Sequence, residues 1–111
     1  MAYDESVAAR VAEALEDVSP VPVVAKKMFG GIAYMVQGNM SIGINQDSLM
    51  VRVGPDGYDD ALAQPHARPM DFTGKTMRGF VNVLPEGFAT DADLTAWVQR
   101  GLDFALSRPA K

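Results

Sequence analysis

The chain has 111 residues, 48% apolar and 22% charged, which suits one small domain with its own core and argues against wholesale disorder. Ten Lys plus Arg against fourteen Asp plus Glu leave a formal charge of −4, so an overall basic nucleic-acid binder is disfavoured while a local basic patch is not. The lack of cysteine excludes disulfides, thiol catalysis and cysteine-ligated metal, and a single histidine excludes a multi-histidine centre.

The first segment reads as a helix. Val7, Val11, Leu15 and Val18 recur at helical spacing, and Glu5, Arg10, Glu13, Glu16 and Asp17 fill the opposite side. Asp4 and Glu5 suit the positive end of the helix dipole. Ser19-Pro20-Val21-Pro22 stops it, because proline lacks the backbone donor and disfavours a helical residue before it. The middle reads as antiparallel strands: Val23 to Phe29, Ile32 to Val36, Met40 to Ile44 and Leu49 to Val53, separated by Gly30-Gly31, Gly38-Asn39 and Asn45-Gln46-Asp47. A meander of three hairpins is the simplest arrangement. Gly54-Pro55-Asp56-Gly57 reads as a break. A short helix over Tyr58 to Ala63 and a proline-bounded connector over Gln64 to Pro69 follow. Met70 to Thr73 reads as a short strand, Arg78 to Leu84 as the last one. Thr90-Asp91-Ala92-Asp93 resembles a capping box. Leu94, Trp97, Val98, Gly101, Leu102 and Ala105 then give a helical stripe that ends before Pro109. The order helix, strands, helix predicts an α+β fold, with a central antiparallel sheet of about five to six strands flanked by N-terminal and C-terminal helices, in one domain over residues 1–111.

The chemistry-bearing residues are sparse. His66 lies in the proline-bounded loop with no serine or carboxylate placed beside it by sequence, so a solvated loop residue is the expected role. Gly30-Gly31 runs into a second strand and not a helix, which favours a tight reversal over a phosphate loop. Asp56, Asp59 and Asp60 lack the ligand spacing of a calcium loop and read as a solvated helix face. Basic residues concentrate in the centre: Lys26, Lys27, Arg52, Arg68, Lys75 and Arg78. Arg52, Arg68, Lys75 and Arg78 are the candidate binding residues, for an anion if they share one face, against the plainer role of strand charges that guard edges. Seven methionines fill a core or, on an uncovered sheet face, form an adaptable partner surface. No catalytic constellation, metal site or cofactor is expected.

Three strings stand out together: Met28-Phe29-Gly30-Gly31; Leu49-Met50-Val51-Arg52-Val53-Gly54-Pro55; and the run from Ala67-Arg68-Pro69-Met70-Asp71-Phe72 through Thr73-Gly74-Lys75-Thr76-Met77 to Arg78-Gly79-Phe80-Val81. With Leu94, Trp97 and Val98 they resemble the N-terminal domain of the TfoX/Sxy family, over about Val7 to Pro109. The resemblance implies an α+β fold and a link to transcription. Full-length relatives regulate natural competence together with the cAMP receptor protein. Those relatives carry a second, C-terminal domain, and a stand-alone N-terminal domain is expected here, so no DNA-related role of the second domain carries over. The resemblance transfers no catalytic residues. The expected function is a non-enzymatic regulatory or protein-interaction module, with a transcription regulator or RNA polymerase as partner. The alternative is a small anionic-ligand-binding protein, or an enzyme using the basic patch. Pairing into a homodimer is a further expectation. Direct nucleic-acid binding is not expected. The acidic N-terminus has no signal-peptide h-region, and no apolar stretch approaches the ~20 residues that span a bilayer, so a cytoplasmic location is expected.

Overall fold

A computed structural model describes residues 3–28, 31–72 and 75–109; the side chains of Met28, Asp71, Phe72, Lys75, Thr76, Met77 and Arg78 lie outside that description. Helix α1 (Glu5–Val18) is capped by Asp4, whose carboxylate accepts from the backbone N–H groups of Ser6 at 2.9 Å and Val7 at 3.3 Å. The Ser6 hydroxyl also donates to it at 2.6 Å, and with those two amides it holds the Asp4 carboxyl below its ordinary 3.8. Then come β1 (Val23–Met28), β2 (Gly31–Val36), β3 (Asn39–Asn45), β4 (Ser48–Arg52), α2 (Gly54–Leu62), β5 (Ala67–Phe72), β6 (Lys75–Val83) and α3 (Asp91–Ser107), with a 3-10 turn at Pro85–Phe88.

The fold is α+β, with all six strands in one antiparallel sheet of order β1-β2-β3-β4-β6-β5. The expected meander occupies β1 to β4. The β2–β3 loop is Gln37–Gly38, one residue earlier than expected, and both residues have positive φ, 52° and 82°. That is the signature of the type I′ turn, whose twist matches a hairpin.

Two expectations need correcting. Gly54-Pro55 does not break the chain; it starts α2, with Pro55 in the first turn, where a missing N–H costs nothing. Gly54 takes φ +78°, and its Cα lies against the Phe104 ring so closely that a Cβ would collide with it. The connector drawn through Pro69 is shorter: β5 begins at Ala67, and Pro69 is tolerated because β5 is an edge strand. Of the reversal expected at Gly30-Gly31, Gly31 begins β2 and Gly30 lies outside the described residues; of the turn expected at Gly74-Lys75, Lys75 begins β6 and Gly74 lies outside them.

Side chains alternate along each strand, so two faces can be followed across the sheet. One register row runs Lys27, Ile32, Ile44, Leu49, Val83, Ala67, and the next runs Ala25, Tyr34, Ile42, Val51, Val81, Pro69. Their central members join Val11 and Leu15 of α1, Tyr58 and Ala61 of α2, and Trp97, Val98 and Leu102 of α3 in one core. All three helices therefore lie on the same side of the sheet. Each fully buried leucine in this core, Leu15, Leu49 or Leu102, contributes about 1.5–3 kcal/mol of burial. Phe88, in the 3-10 turn, is also part of the core and carried no periodic signal in the sequence.

Close approach of α3 to the sheet depends on Gly101. A Cβ there would sit 2.5 Å from the Ser41 carbonyl oxygen. Ser41 lies where the β2–β3 register slips, between Ile42 opposite Tyr34 and Met40 opposite Met35. Its hydroxyl is buried with no hydrogen-bond partner among the described residues. The Tyr34 hydroxyl ties β2 to α1 by donating to the Ala8 carbonyl at 2.9 Å, and burial, with a smaller effect from Tyr3, pushes its pKa above 10.0. Arg10 fastens α1 to the start of α3: it donates to the Phe88 carbonyl at 3.0 Å and meets Asp91 at 3.5 Å.

Candidate functional site

Among the described residues, no helix covers the opposite sheet face. Its central row runs Lys26, Ala33, Gly43, Met50, Asn82, Arg68, one residue from each of the six strands. Beside it lie Val24, Met35 and Met40. Ala33 and Met50 are buried, at 0% and 2% exposure, yet stand outside the helix-side core. Gly43 explains part of this. With no side chain of its own, it lets the Met50 and Met40 methyls close over it; a Cβ would be 2.9 and 3.0 Å from them. The face is thus floored by flexible, polarizable thioethers, which adapt to irregular apolar partners.

The rim of this floor is basic. Lys26 and Arg68, both exposed, end the row on its two edges. Six of the ten basic residues lie in strands, but only Asp71 of the fourteen acidic ones does. The helices carry Glu5, Glu13, Glu16, Asp17, Asp56, Asp59, Asp60, Asp91, Asp93 and Asp103. Charge is segregated between the layers.

The four basic candidates fare differently. Arg52 is half-buried, its guanidinium 5.0 Å from the centre of the Phe104 ring and 5.7 Å from that of Phe80. It links the end of β4 to β6 and α3 by cation–π contact. Arg68 is exposed on β5 and donates to the Ala67 carbonyl at 3.2 Å. Lys75 and Arg78 are on β6, with side chains outside the described residues. Among the described residues no contact joins Arg52 to Arg68. Lys26, which was not among the four, is the residue that completes the row. Strand spacing puts its backbone ~24 Å from that of Arg68, too far for one small anion to bridge. Sequence spacing alone had no means of pairing two residues so distant in the chain.

A second feature is a cleft of about 260 Å³ on the helix side, lined by residues including Gln64, His66, Glu86, Asp93, Trp97 and Arg100. His66 is exposed and has φ +65°, a conformation uncommon outside glycine. Gly87 lets the 3-10 turn reach it; a Cβ there would sit 3.1 Å from the His66 Cβ. Arg100 stacks 5.3 Å from the Trp97 ring centre and pairs with Asp60 at 2.9 Å, so its charge is already engaged. Among the described residues, no three His, Asp or Glu side chains are arranged to hold a metal ion. Nor is any helix of the described residues long and apolar enough to cross a membrane.

An α+β domain with helices on one face of its sheet and a methionine-floored, basic-rimmed face on the other is the class defined by this geometry. The TfoX N-terminal domain family model matches residues 13–105 of the 111, and the chain belongs to that family. No curated protein and no solved structure shows a significant match to the chain.

Proposed function

We propose that the domain is a non-enzymatic regulatory module that works by binding another protein through the helix-free sheet face. The observation that carries this reading is the row from Lys26 through Gly43 and Met50 to Arg68: an apolar, adaptable floor between two exposed cations. The complementary partner presents an apolar patch flanked by carboxylates. Membership of the TfoX N-terminal family supports a component of the transcription machinery, a regulator or a polymerase subunit, as that partner. The reading places the encounter in the cytoplasm.

The test uses Met35→Gln/Arg68→Glu, which alters the face at one half-buried and one exposed position. Proteins captured from the native cytoplasm are identified by mass spectrometry, and any transcription component is then purified and titrated. The expected result is a component that binds wild type and is weakened at least tenfold by the variant. Equal binding to both places the interface elsewhere and overturns this reading of the face. Failure of every purified transcription component to bind overturns the regulatory reading itself.

A further inference from the structure

The two edges of the sheet are not equivalent. An edge strand exposes unpaired backbone N–H and C=O groups, and natural sheets blunt such edges with proline, bulges or charge. β5 has all three devices, since Pro69 lacks an N–H, the register slips between Pro69 and Asp71, and Arg68 is charged, whereas β1 has charge alone. β1 contains no proline, and its pairing with β2 runs from Val23 opposite Val36 to Met28 opposite Gly31 without a slip. Val24, Ala25, Lys26 and Lys27 are all exposed. Val24, at 55%, is the one large hydrophobic side chain that stands exposed among the described residues.

Charge decides what can add to this edge. β1 carries Lys26 and Lys27 and no acid. A second copy pairing antiparallel through β1 would bring four lysines together, so self-addition is opposed. We propose that β1 accepts an extended acidic segment of a partner protein as a seventh, antiparallel strand. Register makes the motif specific. Residues facing Lys27 and Lys26 are consecutive on the incoming strand, and the residue facing Val24 comes two positions after the second of them. Lys26 and Val24 lie on the helix-free side, and Lys27 on the helix side. The segment therefore reads acidic-acidic-x-apolar, with backbone hydrogen bonds giving affinity and the lysines giving direction.

This proposal rests on the reading of the domain as a protein-interaction module and names a second surface of it. The probe is a synthetic capped peptide, Thr-Glu-Glu-Thr-Val-Thr. Its controls are the same peptide with both glutamates replaced by lysine and a version N-methylated at every amide, which has no backbone N–H left to donate on either edge. Binding is followed by amide chemical shifts and hydrogen exchange of the full chain. The expected result is slowed exchange confined to β1, a loss of at least tenfold for the lysine peptide and no binding of the N-methylated one. Lys26→Glu/Lys27→Glu should reverse the preference between the two charged peptides. Unchanged preference in that variant, shifts mapping to Met35 and Met40 instead, or no binding at millimolar peptide overturns the edge proposal. A transcription component that binds wild type while the acidic peptide fails to bind overturns the edge while leaving the interaction-module reading intact.

Discussion

At the scale of single residues, small side chains and buried polar atoms make the sharpest demands. Gly101 improves on glycine's poor helix propensity if replaced by alanine, a gain of about 1 kcal/mol. The Cβ would meet the Ser41 carbonyl at 2.5 Å, and backbone has little room to retreat. Overpacking should win, so Gly101→Ala is expected to lower stability by about 1–3 kcal/mol in urea denaturation. Ser41→Ala should act in the opposite direction, because it removes a buried hydroxyl that has no partner among the described residues: a neutral to ~1 kcal/mol stabilising effect is expected by the same measurement. Tyr34 gives a pH signature. Its pKa is above 10.0 in the folded chain, so the native state holds this proton more tightly than the unfolded one. Its contribution is full below pH 10 and falls as pH rises through the folded value. Denaturation at pH 9 and pH 11 should show a steeper loss for wild type than for Tyr34→Phe. The variant itself should cost about 1 kcal/mol at neutral pH through the lost bond to Ala8.

At the scale of elements, local chemistry made much of the fold legible in advance. Alternation of Ile42 and Ile44 with Gly43 and Asn45 marked β3, although the register slip at Ser41 moves Met40 to the opposite face from the two isoleucines; Pro20 and Pro109 bounded α1 and α3. Thr90 caps α3 as its sequence promised, accepting from the Asp93 N–H at 3.1 Å. Errors arose where tertiary context overrides local signal. Gly54-Pro55 is a breaker by composition, but here the positive φ of Gly54 turns the chain out of β4 and Phe104 closes over it. Gly54→Ala should therefore destabilise by about 1–3 kcal/mol, combining backbone strain and collision, as measured by thermal unfolding. Gln37 offers the contrast. It occupies a left-handed position in an exposed turn, a conformation that asparagine adopts more readily, and Gln37→Asn should stabilise by up to ~1 kcal/mol in thermal unfolding. Phe88 was illegible for a different reason: one aromatic in a 3-10 turn has no periodicity to detect.

At the scale of the molecule, the distribution of helices decides which surface is left for a partner. The sequence showed a methionine excess, a central concentration of basic residues and the alternation within single strands, but neither the strand order nor which face the helices cover. The order β1-β2-β3-β4-β6-β5, with β6 inserted beside β4, is a long-range pairing that sets Lys26 and Arg68 at opposite ends of one row. That row is too long for one small anion to bridge, whereas the sequence could name Arg52, Arg68, Lys75 and Arg78 but not the distances between them. Charge segregation between the layers also predicts that association with an acid-rimmed partner weakens as salt rises, most of all for the electrostatic part of the on-rate. The most direct measurement is methionine-methyl NMR of the ¹³C-labelled chain during titration with the purified transcription component that it captures. The account predicts that the Met35 and Met40 methyl resonances shift or broaden while the methyls of Val98 and Leu102, labelled in parallel, stay in place. Perturbation confined to the helix layer, with Met35 and Met40 unchanged, would contradict it.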